Sequence, residues 1–228
     1  MINIYAVELS SPMEESLFQL FLGFVGKKKE ERIMKFLRRE DAERSLVGDV
    51  LIRVLICDHL GLHNSDIFFS YNEFGKPSLE YDTAFDFNLS HSGKWVACAI
   101  DTSPLGIDVE CIRDIDFSIA ERFFSHIEYG DIMERVGNSR LEYFYDLWTL
   151  KESYIKARGM GLSIPLSSFT IRKENGSITC YSELEETWYF RQYNIDPDYK
   201  FSVCANNIKF PGDIIILNPS QLTEKWKS

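Results

Sequence analysis

The chain has 228 residues, with 25 Lys and Arg against 35 Asp and Glu, giving a formal charge of −10 at neutral pH. Hydrophobic residues make up 45% and include 17 Phe, 11 Tyr and 4 Trp, which excludes a disordered chain and suits one large or two small domains. Net acidity argues against a general nucleic-acid binder, which needs a broad basic surface to meet phosphates. The N-terminus has no basic leader region, and the apolar stretch from Phe18 to Val25 is far short of the ~20 residues of a membrane span. Cys57, Cys98, Cys111, Cys180 and Cys204 are odd in number and contain no CxxC pair, so neither a disulfide framework nor a zinc site is expected. The expectation is a reduced, cytoplasmic chain with no membrane or nucleic-acid partner.

In chain order, residues 2–8 alternate as a strand does, and a helical segment begins near Glu30. Leu46, Val47, Val50, Leu51, Val54 and Leu55 repeat at helical spacing, and Gly61 stops that helix. Ile67 and Phe69 belong to a strand, and Phe85, Phe87 and Leu89 line one face of another. Ser90-His91-Ser92-Gly93 reads as a turn, with Trp95 to Ile100 returning as its partner. Leu105 to Glu110 is a further strand after Pro104. Ser125 and Glu128 have capping-box spacing, in which the serine takes an orphan N–H and the glutamate reaches back. A long amphipathic helix follows, with Leu141, Tyr145, Trp148 and Ile155 on its apolar side and Gly159 as its stop. Strands are expected near Phe169–Arg172, Trp188–Tyr193, Phe201–Ala205 and Ile214–Leu217, with Asp196-Pro197-Asp198 turning between the middle pair.

The two halves match each other in outline. Gly61-Leu62 and Gly161-Leu162 each lead from a long helix toward a strand, and Lys94–Ala99 resembles Lys200–Ala205. Chance similarity of short apolar strands is the alternative. A duplicated α/β unit divided at residues 1–104 and 105–228 would place a ligand crevice between the halves.

Four segments have chemical potential. On a strand, Asp108 and Glu110 of Gly106-Ile107-Asp108-Val109-Glu110 point the same way while Ile107 and Val109 point inward. Adjacent carboxylates repel unless a cation or proton lies between them, and oxygen-only ligands suit Mg²⁺; two solvated acids are the simpler reading. Glu152 and Lys156 share a helix face in the favourable order, an ordinary surface pair unless that face meets Asp108 and Glu110. Ser90-His91 lacks the G-x-S-x-G elbow of a hydrolase but offers small polar donors to phosphate. From Lys27 to Arg44 there are eight basic and five acidic residues, so positive charge gathers locally in an acidic chain. That run is either a solvated face or a site for a small phosphorylated ligand. Neither common nucleotide-binding fingerprint is present.

Taken in order, Phe87-Asn88-Leu89-Ser90-His91-Ser92, Gly106-Ile107-Asp108-Val109-Glu110, Arg122-Phe123-Phe124-Ser125 and Trp148-Thr149-Leu150-Lys151-Glu152-Ser153-Tyr154-Ile155-Lys156 resemble the Sfp-type 4′-phosphopantetheinyl transferases. Gly48-Asp49 and Glu73-Phe74-Gly75-Lys76-Pro77 match as well, and the resemblance runs from about Arg39 to Leu166. It implies an α/β pseudo-dimer of two similar subdomains, each a small sheet packed with a long helix. It also implies transfer of the phosphopantetheine arm of coenzyme A to a serine of an apo peptidyl or acyl carrier protein, releasing adenosine 3′,5′-bisphosphate. By resemblance, Asp108, Glu110 and Glu152 hold Mg²⁺, with Mn²⁺ an alternative, against the pyrophosphate. Lys156 and His91 act at the phosphates with Ser90, and Lys29, Arg32, Ser45 and Lys76 surround the nucleotide end; Lys28 competes with Lys29 for register. Glu152 is the expected base for the carrier serine, and no covalent enzyme intermediate is needed. The carrier would dock between about Ile112 and Val136, where Phe117, Ile119, Phe123 and Phe124 are apolar candidates. The larger members of the family act as monomers, and the same is expected here. A non-catalytic module binding coenzyme A or a carrier, and a Mg²⁺-dependent pyrophosphate hydrolase, are the alternatives.

Overall fold

The structure is a computed structural model that describes residues 1–80, 84–174, 176–183 and 186–227. Its first half contains β1 (Asn3–Glu8), α1 (Glu15–Leu22), α2 (Lys27–Ile33), α3 (Arg39–Leu60), β2 (Phe69–Tyr71), β3 (Pro77–Leu79), β4 (Asp86–Ser92) and β5 (Trp95–Asp101). The second contains β6 (Leu105–Cys111), α4 (Ser118–Phe123), α5 (His126–Met133), α6 (Asn138–Arg158), β7 (Thr170–Glu174), β8 (Ser177–Tyr181), β9 (Tyr189–Tyr193) and β10 (Tyr199–Ala205). β11 (Ile215–Leu217) and α7 (Pro219–Lys227) close the chain.

One sheet has the order β11-β1-β5-β4 and the other β6-β10-β9, while β2-β3 and β7-β8 form separate hairpins. Strand alternation sorts the apolar side chains into layers. Tyr5, Val7, Val96, Cys98 and Ile100 pack with α3, whereas Ile4, Ala6, Ala97 and Ala99 face the second sheet. They meet Leu105, Ile107, Val109, Phe201 and Val203 there, and Cys204 on the opposite face packs with α6. The order is helix, sheet, sheet, helix. The two halves correspond: β1 to β6, β5 to β10, β4 to β9, and α3 to α6. The fold is therefore the expected α/β pseudo-dimer, and buried Cys98 and Cys204 occupy matching strands.

Gly61 and Gly159 end α3 and α6 in the left-handed conformation, as expected for both helix stops. The capping box forms as expected, with Glu128 N–H donating to Ser125 Oγ at 3.3 Å and Ser125 N–H donating to Glu128 Oε2 at 2.8 Å. Glu128 also pairs at 2.8 Å with Lys151 of α6, both side chains fully buried. The last strand crosses back: β11 lies parallel to β1, and Leu222 of α7 is buried in the core formed with α3.

One local expectation is overturned. Ser90, His91 and Ser92 lie within β4, with Ser92 opposite Trp95, and the hairpin turns at Gly93-Lys94 instead. Serine and histidine are poor strand markers, but Ser90 and Ser92 gain partners on β6 that a turn would not provide. α1, α4, β3, β8 and α7 also go beyond what the sequence pattern predicts.

Candidate active site

The two sheets meet along β4 and β6, the adjoining edges of the two halves. These strands share no backbone ladder; side chains of β4 take its place. Leu105 N–H donates to Asp86 at 3.0 Å, Ile107 N–H to Asn88 at 2.9 Å, Val109 N–H to Ser90 at 3.3 Å and Cys111 N–H to Ser92 at 3.1 Å. Each bond satisfies an edge-strand donor that would otherwise cost about 1–3 kcal/mol when buried. The seam joins the halves, and its Ser90 and Ser92 members also reach the carboxylates of Asp108 and Glu110.

Gly106 explains why α6 comes so close to this strand. A Cβ there would stand 2.1 Å from Ser153 O and 2.4 Å from Ala157 N. Without a side chain, β6 lies against the α6 backbone, and Glu152 and Lys156, one turn apart, face Asp108 and Glu110. A cleft of about 470 Å³ opens here, lined by Lys29, Arg32, Arg44, Ser45, Ser90, His91, Asp108, Glu110, Trp148, Glu152 and Lys156 among others.

The cleft straddles β4. His91 points toward α3, where Arg44 and Ser45 stand, and Ser90 points toward β6 and α6. Neighbouring strand residues facing opposite ways thus serve one cavity, because β4 is an edge. On the acidic side, Lys156 Nζ donates to Asp108 Oδ1 at 2.6 Å, to Ser90 Oγ at 3.0 Å and to Ile107 O at 3.3 Å. Ser90 and Ser92 hydroxyls donate to Asp108 at 2.9 Å and to Glu110 at 2.8 Å.

Three acids in a partly dry cleft resist ionisation. Burial raises the pKa of Asp108, against the pull of Lys156, and burial and the Asp108 charge raise that of Glu110. Glu152 is pushed up to about 7 by burial first and then by the Asp108 charge. His91 keeps a solvent-facing edge, yet desolvation lowers its pKa, with Arg44 and Lys156 acting in the same direction. The lowered pKa favours the neutral imidazole, whose ring N–H is available as a hydrogen-bond donor.

The donor set fits a hard divalent cation. It is oxygen-only, its three carboxyls are all disfavoured as bare anions, and Asp108 Oδ2 is buried with no hydrogen-bond partner. As the side chains stand, no three His, Cys, Asp or Glu among the described residues form a closed ion cage. Lys156 pairs with one oxygen of Asp108 at 2.6 Å.

Of the residues expected from sequence, only Lys76 is not brought to this cleft. Its ammonium binds Asp86 at 2.9 Å, Leu105 O at 3.2 Å and Ala157 O at 3.5 Å, tying β4, β6 and α6 together at the far end of the seam. Lys29 lines the cleft and Lys28 does not, although both line an adjoining cavity of about 640 Å³ with Phe68, Phe69 and Tyr71. In the expected docking region Phe124 is core, Phe117 and Phe123 are half-buried, and Ile119, Ile127, Met133 and Val136 are exposed. Sequence reasoning missed the seam and Arg44 as a wall residue. The alternation of polar Asp86, Asn88, Ser90 and Ser92 with Phe87 and Leu89 was the available signal.

Two family descriptions match: residues 11–103 fit the N-terminal domain of a 4′-phosphopantetheinyl transferase, and residues 104–204 fit the 4′-phosphopantetheinyl transferase superfamily. The 4′-phosphopantetheinyl transferase Sfp of Bacillus subtilis (strain 168) is 40% identical over 222 residues, covering 96% of this chain and 99% of the relative. The chain belongs to the Sfp-type 4′-phosphopantetheinyl transferases. A second transferase of this kind, gsp of Aneurinibacillus migulanus, is 38% identical over 206 residues, 90% of this chain and 86% of its own. A holo-(acyl-carrier-protein) synthase from Bacillus anthracis in complex with CoA aligns with 45% of this chain and 94% of its own, at 16% identity and a TM-score of 0.41. This phosphopantetheinyl transferase has no helix, among the described residues, long and apolar enough to cross a membrane.

Proposed function

We propose that the cleft between the halves is where this transferase moves 4′-phosphopantetheine from coenzyme A to the serine of an apo peptidyl or acyl carrier protein. The observation that carries the assignment is the convergence of Asp108 and Glu110 on β6 with Glu152 and Lys156 on α6, beside a cationic wall. Coenzyme A has a pyrophosphate and a 3′-phosphate, so an acidic protein must concentrate cations locally. Lys29, Arg32 and Arg44 supply them on the α3 side, and neutral His91 and Ser45 add hydrogen-bond donors. The aromatic walls of the adjoining cavity, Phe68, Phe69 and Tyr71, suit the adenine end.

Asp108, Glu110 and Glu152 would hold Mg²⁺, or Mn²⁺ in its place, and the ion would supply charge neutralisation and polarisation of the pyrophosphate. The carrier serine oxygen bonds to the β-phosphorus as the bond to the bridging oxygen breaks, and adenosine 3′,5′-bisphosphate leaves. Glu152 takes the serine proton, and Lys156 stabilises the charge growing on the departing phosphate. No side chain of the enzyme is a nucleophile. Trp148 closes the cleft near Glu152, and its stacking on Phe144 at 5.7 Å holds it firm. Exposed Ile119, Ile127, Met133 and Val136, all within the segment expected to dock the carrier, offer it apolar side chains. The halves divide near residue 104, and one chain furnishes both walls, which supports action as a monomer. Five free thiols support a reducing, cytoplasmic setting.

The test is mass spectrometry of an apo carrier incubated with enzyme and coenzyme A. Mg²⁺-dependent gain of the phosphopantetheine mass, abolished by EDTA and in Asp108→Ala, is the expected result. Release of adenosine 3′,5′-bisphosphate with no carrier present, or full labelling in EDTA, would contradict it.

A further inference from the structure

Ser92 is not on the cleft wall, yet it touches the cleft through Glu110. Its oxygen accepts the Cys111 N–H at 3.1 Å, which aims the single hydroxyl proton at Glu110 Oε2, 2.8 Å away. Two residues earlier the same arrangement recurs, with Ser90 accepting the Val109 N–H at 3.3 Å and donating to Asp108 at 2.9 Å. Both carboxylates are thus held by a hydroxyl that is itself held by the backbone of the strand carrying the carboxylate. Asn88, on the same edge of β4, makes the matching backbone bond to Ile107 N–H at 2.9 Å but touches no carboxylate.

We propose that Ser92 is a positioning residue for the divalent-cation site, fixing Glu110 so that its remaining oxygen is presented to the ion before the ion arrives. This rests on Asp108, Glu110 and Glu152 being the cation ligands. A glutamate side chain has three rotatable bonds, and the hydroxyl removes much of the ordering that ligation would otherwise demand. Ser92 needs no contact with coenzyme A or carrier to do this.

The isosteric pair Ser92→Thr and Ser92→Val separates the hydroxyl from the packing, since both β-branched residues suit a strand. Mn²⁺ binding to the full chain, followed by electron paramagnetic resonance in the absence of coenzyme A, gives a readout independent of turnover. Ser92→Val should bind Mn²⁺ roughly tenfold more weakly than wild type, and Ser92→Thr should remain within about twofold. Asn88→Ala should lower the melting temperature while leaving Mn²⁺ affinity unchanged. Equal Mn²⁺ affinity in Ser92→Val and wild type would overturn the role of Ser92 and leave the cation site standing. A loss in Asn88→Ala as large as in Ser92→Val would also overturn it, by assigning the effect to the seam as a whole. Failure of the wild-type chain to bind Mn²⁺ would remove the cation site and this proposal with it.

Discussion

Glu152 carries opposing demands in one side chain. Without a cation its carboxyl is pushed from 4.5 up to about 7, by burial and by the charges of Asp108 and Glu110. Its folded-state pKa lies above the unfolded value, so between these two values the native state binds more protons and stability falls as pH rises. In EDTA, the unfolding free energy from urea titrations should decline from about pH 4.5 to pH 7 and then flatten, by up to about 3 kcal/mol at ~1.4 kcal/mol per unit. Replacing Glu152 by Gln should remove most of that decline; an unchanged slope would mean that the carboxyl is not strained in the ion-free cleft. Lys156 relieves part of the same strain at Asp108, where it contributes a 2.6 Å ion pair.

Strand β6 and helix α6 carry the acids, and their contact depends on Gly106. Any side chain there meets α6 backbone rather than a flexible neighbour, at 2.1 Å from Ser153 O. Gly106→Ala should therefore cost about 3 kcal/mol or more and separate Glu152 from Asp108, lowering transfer further than stability alone explains. Urea denaturation together with the carrier-labelling rate checks both effects; near wild-type values in each would refute the close approach. Much at this scale was legible in the sequence. Leu46 to Leu55 and the capping box at Ser125 announced their helices, and the alternation of Ile107 and Val109 with Asp108 and Glu110 gave β6 its two faces. Ser90 to Ser92 read as a turn because local propensity hid both the β5 ladder and the side-chain partners on β6, 18 residues away. Lys76 was assigned to a ligand by motif, whereas Asp86 and two carbonyls hold its ammonium in the fold. Short elements such as β3, at three residues, have too little pattern to be seen at all.

At the scale of the whole molecule, the halves are held by the sheet-on-sheet core, by the seam of side chains between β4 and β6, and by the returning chain end. β11 lies beside β1, and Leu222 of α7 is fully buried among residues of the first half. Ending the chain at Asp213 should expose the α3 core, seen as faster amide exchange in α3 than in α6; equal protection of both helices would show that the returning segment is dispensable. The duplication was visible in the sequence through Lys94–Ala99 and Lys200–Ala205, now the central strands β5 and β10. What it did not reveal is that the cleft is built beside two sheet edges, each completing the other. The proposed chemistry depends on Glu152 of α6 meeting Asp108 and Glu110 of β6 beside that junction. The decisive measurement is the single-turnover rate of carrier labelling by Glu152→Gln at saturating coenzyme A and Mg²⁺. A fall of about 100-fold or more with the fold intact is expected; a wild-type rate would contradict the account.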